Sequence, residues 1–136
     1  MGFLNKTINK TKTSFSTTSS KVSESREISK IESQIKAERN KVTEIYTTIG
    51  KEYYRFTVDG DESHKANFDS LIAEVNESRR LIEEYEAQIE EVRARAKEER
   101  EAIKAEAEAR QKEIEEAEEQ ARAEKEKEKK ENDDLF

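Results

Sequence analysis

The sequence predicts an all-α protein: a long antiparallel helical hairpin, formed as a coiled coil, with an extended charged C-terminal helix. The main observation is that apolar residues recur at every seventh position on both sides of Gly60. The chain also contains no proline that would interrupt a helix. Two such runs meeting at a turn are typical of two helices folded against each other. The run before the turn is Ile28, Ile35, Val42, Ile49 and Phe56, and the run after it is Phe68, Val75, Ile82, Ile89, Ala96 and Ile103.

Four segments follow from this pattern. Residues 1–21 form a Ser/Thr/Lys-rich, marginally amphipathic N-terminal segment. Residues 22–96 form the antiparallel coiled-coil hairpin, with its turn at 57–63. Residues 97–130 form a charged Ala/Glu/Lys/Arg helix, and residues 131–136 form an acidic tail. One domain of 136 residues is therefore expected to consist of a packed hairpin and three more polar segments.

The pairing of the two helices follows from counting outward from the turn. Phe56 should face Phe68, and the next pairs follow in steps of seven. The first helix is expected from about residue 22 to 56, and Asp61 or Ser63 is expected to cap the second. Gly50 lies inside the first helix, where it marks either a close helix approach or a tolerated weak point.

The N-terminal segment carries apolar residues at helical spacing. Two interpretations stay open: an amphipathic helix that orders against a partner or a membrane surface, or a flexible tail with scattered apolar residues. Under the first interpretation Leu4, Ile8 and Phe15 are candidate partner-binding residues. The spaced positions are Leu4, Ile8, Phe15 and Val22, with Thr11 and Thr18 filling the gaps between them.

Charge is unevenly distributed along the chain, whose net charge is −7. Residues 1–23 carry four lysines and no acid, whereas residues 101–136 carry eight bases and fourteen acids. The acidic balance argues against nucleic acid as a general partner. The basic N-terminus is expected to meet either an anionic membrane surface or the acidic tail of its own chain.

The C-terminal helix has two possible arrangements. Heptad order ends after Ile103, and Ile114 follows eleven residues later. Acid–base pairs such as Glu108 and Lys112 support a solvated single helix. The alternative is that the N-terminal segment packs against this far end of the second helix.

The last residues resemble a docking peptide. Residues 132–136 place two acids before a terminal Leu135-Phe136. This resembles the acidic, Phe-ending tail of bacterial single-stranded-DNA-binding proteins, which recruits partners. The resemblance implies that Leu135 and Phe136 bind an apolar pocket on a partner protein. The alternative is a frayed end without a role.

No catalytic, cofactor-binding or metal-binding residue is predicted, and we expect no enzyme activity and no cofactor. The chain has no cysteine, which excludes thiolate metal sites and disulfides. His64 is the sole histidine, and 59–62 (Asp-Gly-Asp-Glu) fits a turn better than a calcium loop. The many Glu-Glu pairs are expected to form a solvated face, because acid–base catalysis needs a cleft that shifts a pKa.

The stretch 49–54, Ile-Gly-Lys-Glu-Tyr-Tyr, with Ile28–Ile45 before it and the Asp-Gly turn and Phe68–Val92 after it, resembles a group of uncharacterised bacterial proteins. In those proteins a short amphipathic N-terminus precedes a helical hairpin, and a C-terminal zinc ribbon usually follows. The resemblance covers roughly residues 3–95 and implies a hairpin fold. The ribbon cysteines are absent, so it implies no metal site here. The layout is also similar to phage shock protein A and its membrane-remodelling relatives, as an analogy of architecture.

These observations predict a non-enzymatic coiled-coil interaction or scaffolding protein. The alternative is a peripheral membrane-associated protein that uses its N-terminal amphipathic helix. Tyr54, Ile72 and Leu81 fall outside the seam, which favours a homo-oligomer alongside a protein partner of unknown identity. We expect a cytoplasmic protein, because the sequence shows neither a secretory signal nor an apolar run that could span a bilayer.

Overall fold

The structure, a computed structural model, describes residues 2–60 and 65–135. It consists of two helices, α1 (Gly2–Asp59) and α2 (Lys65–Asp134), which pack against each other as a hairpin. No strand occurs among the described residues. The prediction of an all-α helical hairpin is therefore confirmed.

Helix α1 is longer than the first helix expected from the sequence. It begins at Gly2 rather than near residue 22, and it ends at Asp59 rather than 56. Ser and Thr usually weaken helices because their hydroxyls compete for backbone groups. Here the hydroxyls of Thr7 and Thr11 donate to the carbonyl oxygens four residues earlier, each at 2.9 Å, so they are satisfied within the helix.

Helix α1 ends at a left-handed glycine. Gly60 has φ 68°, and its backbone N–H donates to the carbonyl of Phe56 at 3.0 Å. A left-handed residue directly after a helix satisfies one of its last carbonyl groups, and glycine adopts that conformation without strain. The predicted capping residues Asp61 and Ser63, and also His64, lie outside the described residues.

Residues 24–94 form one compact unit with the predicted heptad seam. The rings of Phe56 and Phe68 meet edge to face, with their centroids 6.4 Å apart. This contact confirms that predicted pair next to the turn. Further along the seam a buried cluster contains Ile31, Ile35, Ile89 and Val92, with Ile28, Ile82 and Tyr85 packed against it.

The heptad seam contains polar positions. Ser78 is only 1 % exposed, and its hydroxyl has no hydrogen-bond partner. Tyr54 and Ile72 lie outside the seam and are exposed, as predicted. The same prediction is wrong for Leu81, which is half-buried beside the seam.

Residues 2–23 and 95–135 belong to a second compact unit. The side chain of Asn9 donates to the carbonyl oxygen of Ala107 at 3.1 Å. The ammonium of Lys6 lies 3.4 Å from a carboxylate oxygen of Glu118. Thus the N-terminal segment packs on the C-terminal helix, and the alternative of an entirely solvated single helix is wrong up to residue 118. Beyond it, residues 119–135 are exposed, and α2 stays helical to Asp134, into the expected acidic tail.

The seam of this second unit repeats every eleven residues. An eleven-residue repeat gives about 3.67 residues per turn, close to the natural period of an α-helix, so contact persists without the left-handed supercoil that heptads need. The buried or half-buried positions of α1 related in this way are Lys6 with Thr17 and Asn9 with Ser20. Those of α2 are Ala96 with Ala107 and Glu118, Arg100 with Gln111, and Ile103 with Ile114.

Candidate interaction surfaces

An apolar stripe runs along the outer surface of the N-terminal segment. We define the N-terminal stripe as Leu4, Ile8, Thr11, Phe15, Thr18 and Val22. All six are exposed, and the ring of Phe15 is 76 % exposed. A shallow groove lined by Thr7, Ile8, Thr11, Lys12 and Phe15 lies along it. The structure therefore brings three of the predicted partner-binding residues, Leu4, Ile8 and Phe15, onto one continuous surface.

The face of this segment that packs on α2 is polar. It consists of Asn9, Thr13, Ser16, Thr17 and Ser20. At about 100° per residue, this set lies on the opposite side of the helix from the N-terminal stripe. Small side chains allow close approach to alanines such as Ala107. Because this packing contact uses no apolar residue of the N-terminal segment, the N-terminal stripe stays exposed.

The N-terminal stripe lies on a basic segment. Of its four lysines, Lys6 pairs with Glu118, whereas Lys10, Lys12 and Lys21 have no ion pair among the described residues. The hydroxyl of Thr11 donates back to Thr7, so its methyl group adds to the apolar surface. Together these features give an amphipathic helix with a cationic border.

The predicted C-terminal docking residues are not part of this stripe. Leu135 follows the last residue of α2 and is exposed, and Phe136 lies outside the described residues. Their role as a docking peptide stays a prediction.

A second exposed apolar surface lies in the compact unit of residues 24–94, which we call the heptad unit. Tyr46 and Tyr53 are seven residues apart on α1, and Ile72 is on α2. They are 53 %, 62 % and 50 % exposed, and each directly follows a seam position in its own helix. We call the side of the unit that carries Tyr46, Tyr53 and Ile72 the tyrosine flank. Sequence analysis identified Ile72 but missed the tyrosine row, although the seven-residue step from Tyr46 to Tyr53 was visible.

The carboxylates of the heptad unit contribute to surface ion pairs. Arg80 donates from Nε to a carboxylate oxygen of Glu77 at 3.0 Å and also contacts Glu84. Its hydrogen bonds and positive charge hold the pKa of the Glu77 carboxyl below its ordinary value. Within the described ranges, no group of three or more His, Cys, Asp or Glu side chains is placed to hold a metal ion.

Neither described helix contains a stretch long and apolar enough to cross a membrane. No protein-family model, no curated protein and no solved structure significantly matches this chain. The resemblance to bacterial hairpin proteins with a zinc ribbon therefore stays a prediction.

Proposed function

We propose that this protein is a non-enzymatic coiled-coil scaffold that acts by self-association and by binding partner helices. The observation that carries this proposal is the tyrosine flank. Its apolar side chains remain exposed although the hairpin already has a seam of its own. Regularly spaced apolar residues beside a coiled-coil seam are typical of a surface that packs on further helices.

One further feature supports a scaffold rather than an enzyme. Carboxylates such as Glu77 and Glu84 are exposed and form ion pairs with Arg80, an environment that suits solubility more than acid–base chemistry. A cytoplasmic location is part of the proposal, because a chain without cysteine is suited to a reducing compartment.

Multi-angle light scattering across micromolar concentrations tests self-association directly. We expect a mass that is a multiple of the 15.8 kDa chain mass. A constant mass of one chain at every concentration would contradict the proposal. Elution volume alone is not a suitable readout, because an elongated monomer also elutes early.

A second candidate function is docking on an anionic membrane surface, and the N-terminal stripe is the observation that favours it. The stripe combines exposed Leu4, Ile8 and Phe15 with lysines and no acid in residues 1–23. Such a helix lies in the interface with its apolar face among the lipid headgroups and its lysines near anionic lipids.

The acidic partner helix does not prevent this docking. Residues 2–23 contact α2 through Asn9 and Lys6, and the packing face lies opposite the stripe. A docked membrane is therefore separated from α2 by about one helix diameter, roughly 10 Å. This is comparable to the screening length of about 8 Å at physiological salt, so repulsion from the acids of α2 is weak.

Co-sedimentation with vesicles tests the second candidate. We expect the full chain to bind vesicles of phosphatidylglycerol mixed with phosphatidylcholine more strongly than vesicles of phosphatidylcholine alone. Phe15→Glu should abolish binding, and Lys12→Glu should remove the preference for anionic vesicles. Tyr54→Glu adds the same charge at an exposed site of the other unit and should bind as the wild type does. Equal binding by all variants would exclude the N-terminal stripe as the surface that binds the membrane.

A further inference from the structure

The tyrosine flank has a charge pattern in addition to its apolar residues. The guanidinium of Arg39 on α1 lies 3.6 Å from a carboxylate oxygen of Glu86 on α2, so these two residues lie at the same height along the helices. We call such a pair of facing residues a level. Steps of seven residues in opposite directions along the antiparallel helices give the other levels. The four levels are Glu32 with Arg93, Arg39 with Glu86, Tyr46 with Arg79, and Tyr53 with Ile72, and all eight residues are exposed.

We propose that the tyrosine flank binds the same flank of a second copy, related by a two-fold axis parallel to the helices. This inference rests on the proposed self-association and names the surface that performs it. A half-turn about this axis places α1 of one copy against α2 of the other. Each residue keeps its height along the helices, because the axis is parallel to them. Each α1 residue then faces the partner's α2 residue of its own level, which is a self-complementary contact.

Every level of this arrangement is complementary. Tyr53 packs on the partner's Ile72, which covers the exposed apolar pair of each copy. Tyr46 presents its ring to the partner's Arg79, a cation–π contact. Arg39 faces the partner's Glu86, and Glu32 faces the partner's Arg93, so both charged levels join opposite charges.

The arrangement also produces a known type of helix packing. Because α1 of one copy lies on α2 of the other, all neighbouring helices are antiparallel, as in an up-down-up-down four-helix bundle. The opposite flank of the unit lacks this complementarity. Its facing residues include Lys41 with Leu81 and Thr48 with Glu74, which join no opposite charges, and Leu81 is already half-buried.

Two charge reversals test the proposed contact. In the proposed dimer, position 39 of each copy faces position 86 of the other. Arg39→Glu therefore creates two repulsive Glu–Glu contacts between the copies, and Glu86→Arg creates two repulsive Arg–Arg contacts. Each variant alone should raise the dissociation constant of the dimer roughly tenfold, since two favourable pairs become repulsive. Lys41→Glu is the matched control on the opposite flank and should leave the dissociation constant unchanged. Circular dichroism should show the same helix content in all three variants.

Mixing the two variants separates a contact between copies from the ion pair within one chain. In the mixed dimer both contacts between copies join Glu to Arg, while the pair inside each chain is repulsive. Light scattering should therefore show dimers in a 1:1 mixture at concentrations where each variant alone dissociates. If the mixture dissociates as its components do, or if neither variant alone weakens the dimer, the tyrosine flank is not the interface. A wild-type chain that is monomeric throughout overturns both this inference and the proposed self-association.

Discussion

The side-chain amide of Asn9 donates to the backbone carbonyl of Ala107 at 3.1 Å, so a polar residue near the start of α1 contacts the C-terminal half of α2 directly. The other amide atom, Oδ1, is buried without a partner. An amide with one satisfied and one unsatisfied atom stabilises only weakly. This contact therefore specifies where residues 2–23 pack more than it strengthens the packing.

Replacing this amide by a carboxylate should loosen the N-terminal segment. Asn9→Asp removes the donor, places a second acceptor against the carbonyl of Ala107, and buries an unpaired charge. We expect faster amide hydrogen exchange throughout residues 2–23, while residues 24–59 stay protected. Ser14→Asp, which is exposed on the same segment, is the control. Equal protection in the two variants would mean that Asn9 does not hold the segment.

Ser78 should be a site where a smaller side chain stabilises the protein. Its hydroxyl is buried in the heptad seam without a hydrogen-bond partner, which lowers the free energy of unfolding. Ser78→Ala should raise that free energy by about 1 kcal/mol more than Ser70→Ala does. Ser70 is exposed on the same helix, so its variant measures the gain from helix propensity alone. Equal gains in chemical denaturation would show that the buried hydroxyl has no cost.

The same substitution should have opposite effects at two glycines. A Cβ at Gly50 would meet no atom within 4 Å beyond its chain neighbours and the adjacent backbone of its own helix, so Gly50→Ala should raise the free energy of unfolding by about 1 kcal/mol through helix propensity. Gly60 has φ 68°, so Gly60→Ala should lower it by about 1 kcal/mol through backbone strain. Thermal unfolding of the two variants is the measurement. A gain at both sites would mean that Gly60 does not end α1 as described.

The two parts of the hairpin differed in how far the sequence could predict them. The pair of Phe56 and Phe68 followed from seven-residue spacing, because in the heptad unit the apolar residues are the ones that pack. In the N-terminal segment that rule fails, since Asn9 and Ser20 are buried while Phe15 is exposed. Hydrophobic periodicity cannot detect a seam of small polar residues, so the face of this segment that packs on α2 was not predicted.

A signal for the N-terminal seam did exist. Eleven residues separate Asn9 from Ser20 on α1, and eleven separate Ile103 from Ile114 on α2. A matching period on both helices indicates a shared seam even where one side is polar. The sequence left open whether the N-terminal segment is helical, because Ser and Thr usually weaken helices, whereas the hydroxyl of Thr7 is satisfied inside the helix rather than in a turn. The sequence shows the seven-residue step from Tyr46 to Tyr53, whereas the alignment of charged residues across the tyrosine flank follows from the contact of Arg39 with Glu86.

Residues 2–23 pack on α2 through their polar face, with Asn9 and Ser20 buried in the contact. Thiol labelling of two adjacent variants, Ser19→Cys and Ser20→Cys, tests this packing most directly, since the chain has no cysteine of its own. Ser19 is exposed, and Ser20 is 5 % exposed and buried in the contact. We predict that a maleimide reagent modifies the cysteine at position 19 many times faster than the one at position 20, and that denaturant makes the two rates equal. Equal rates in the native protein, or faster modification at position 20, would show that the polar face does not pack on α2.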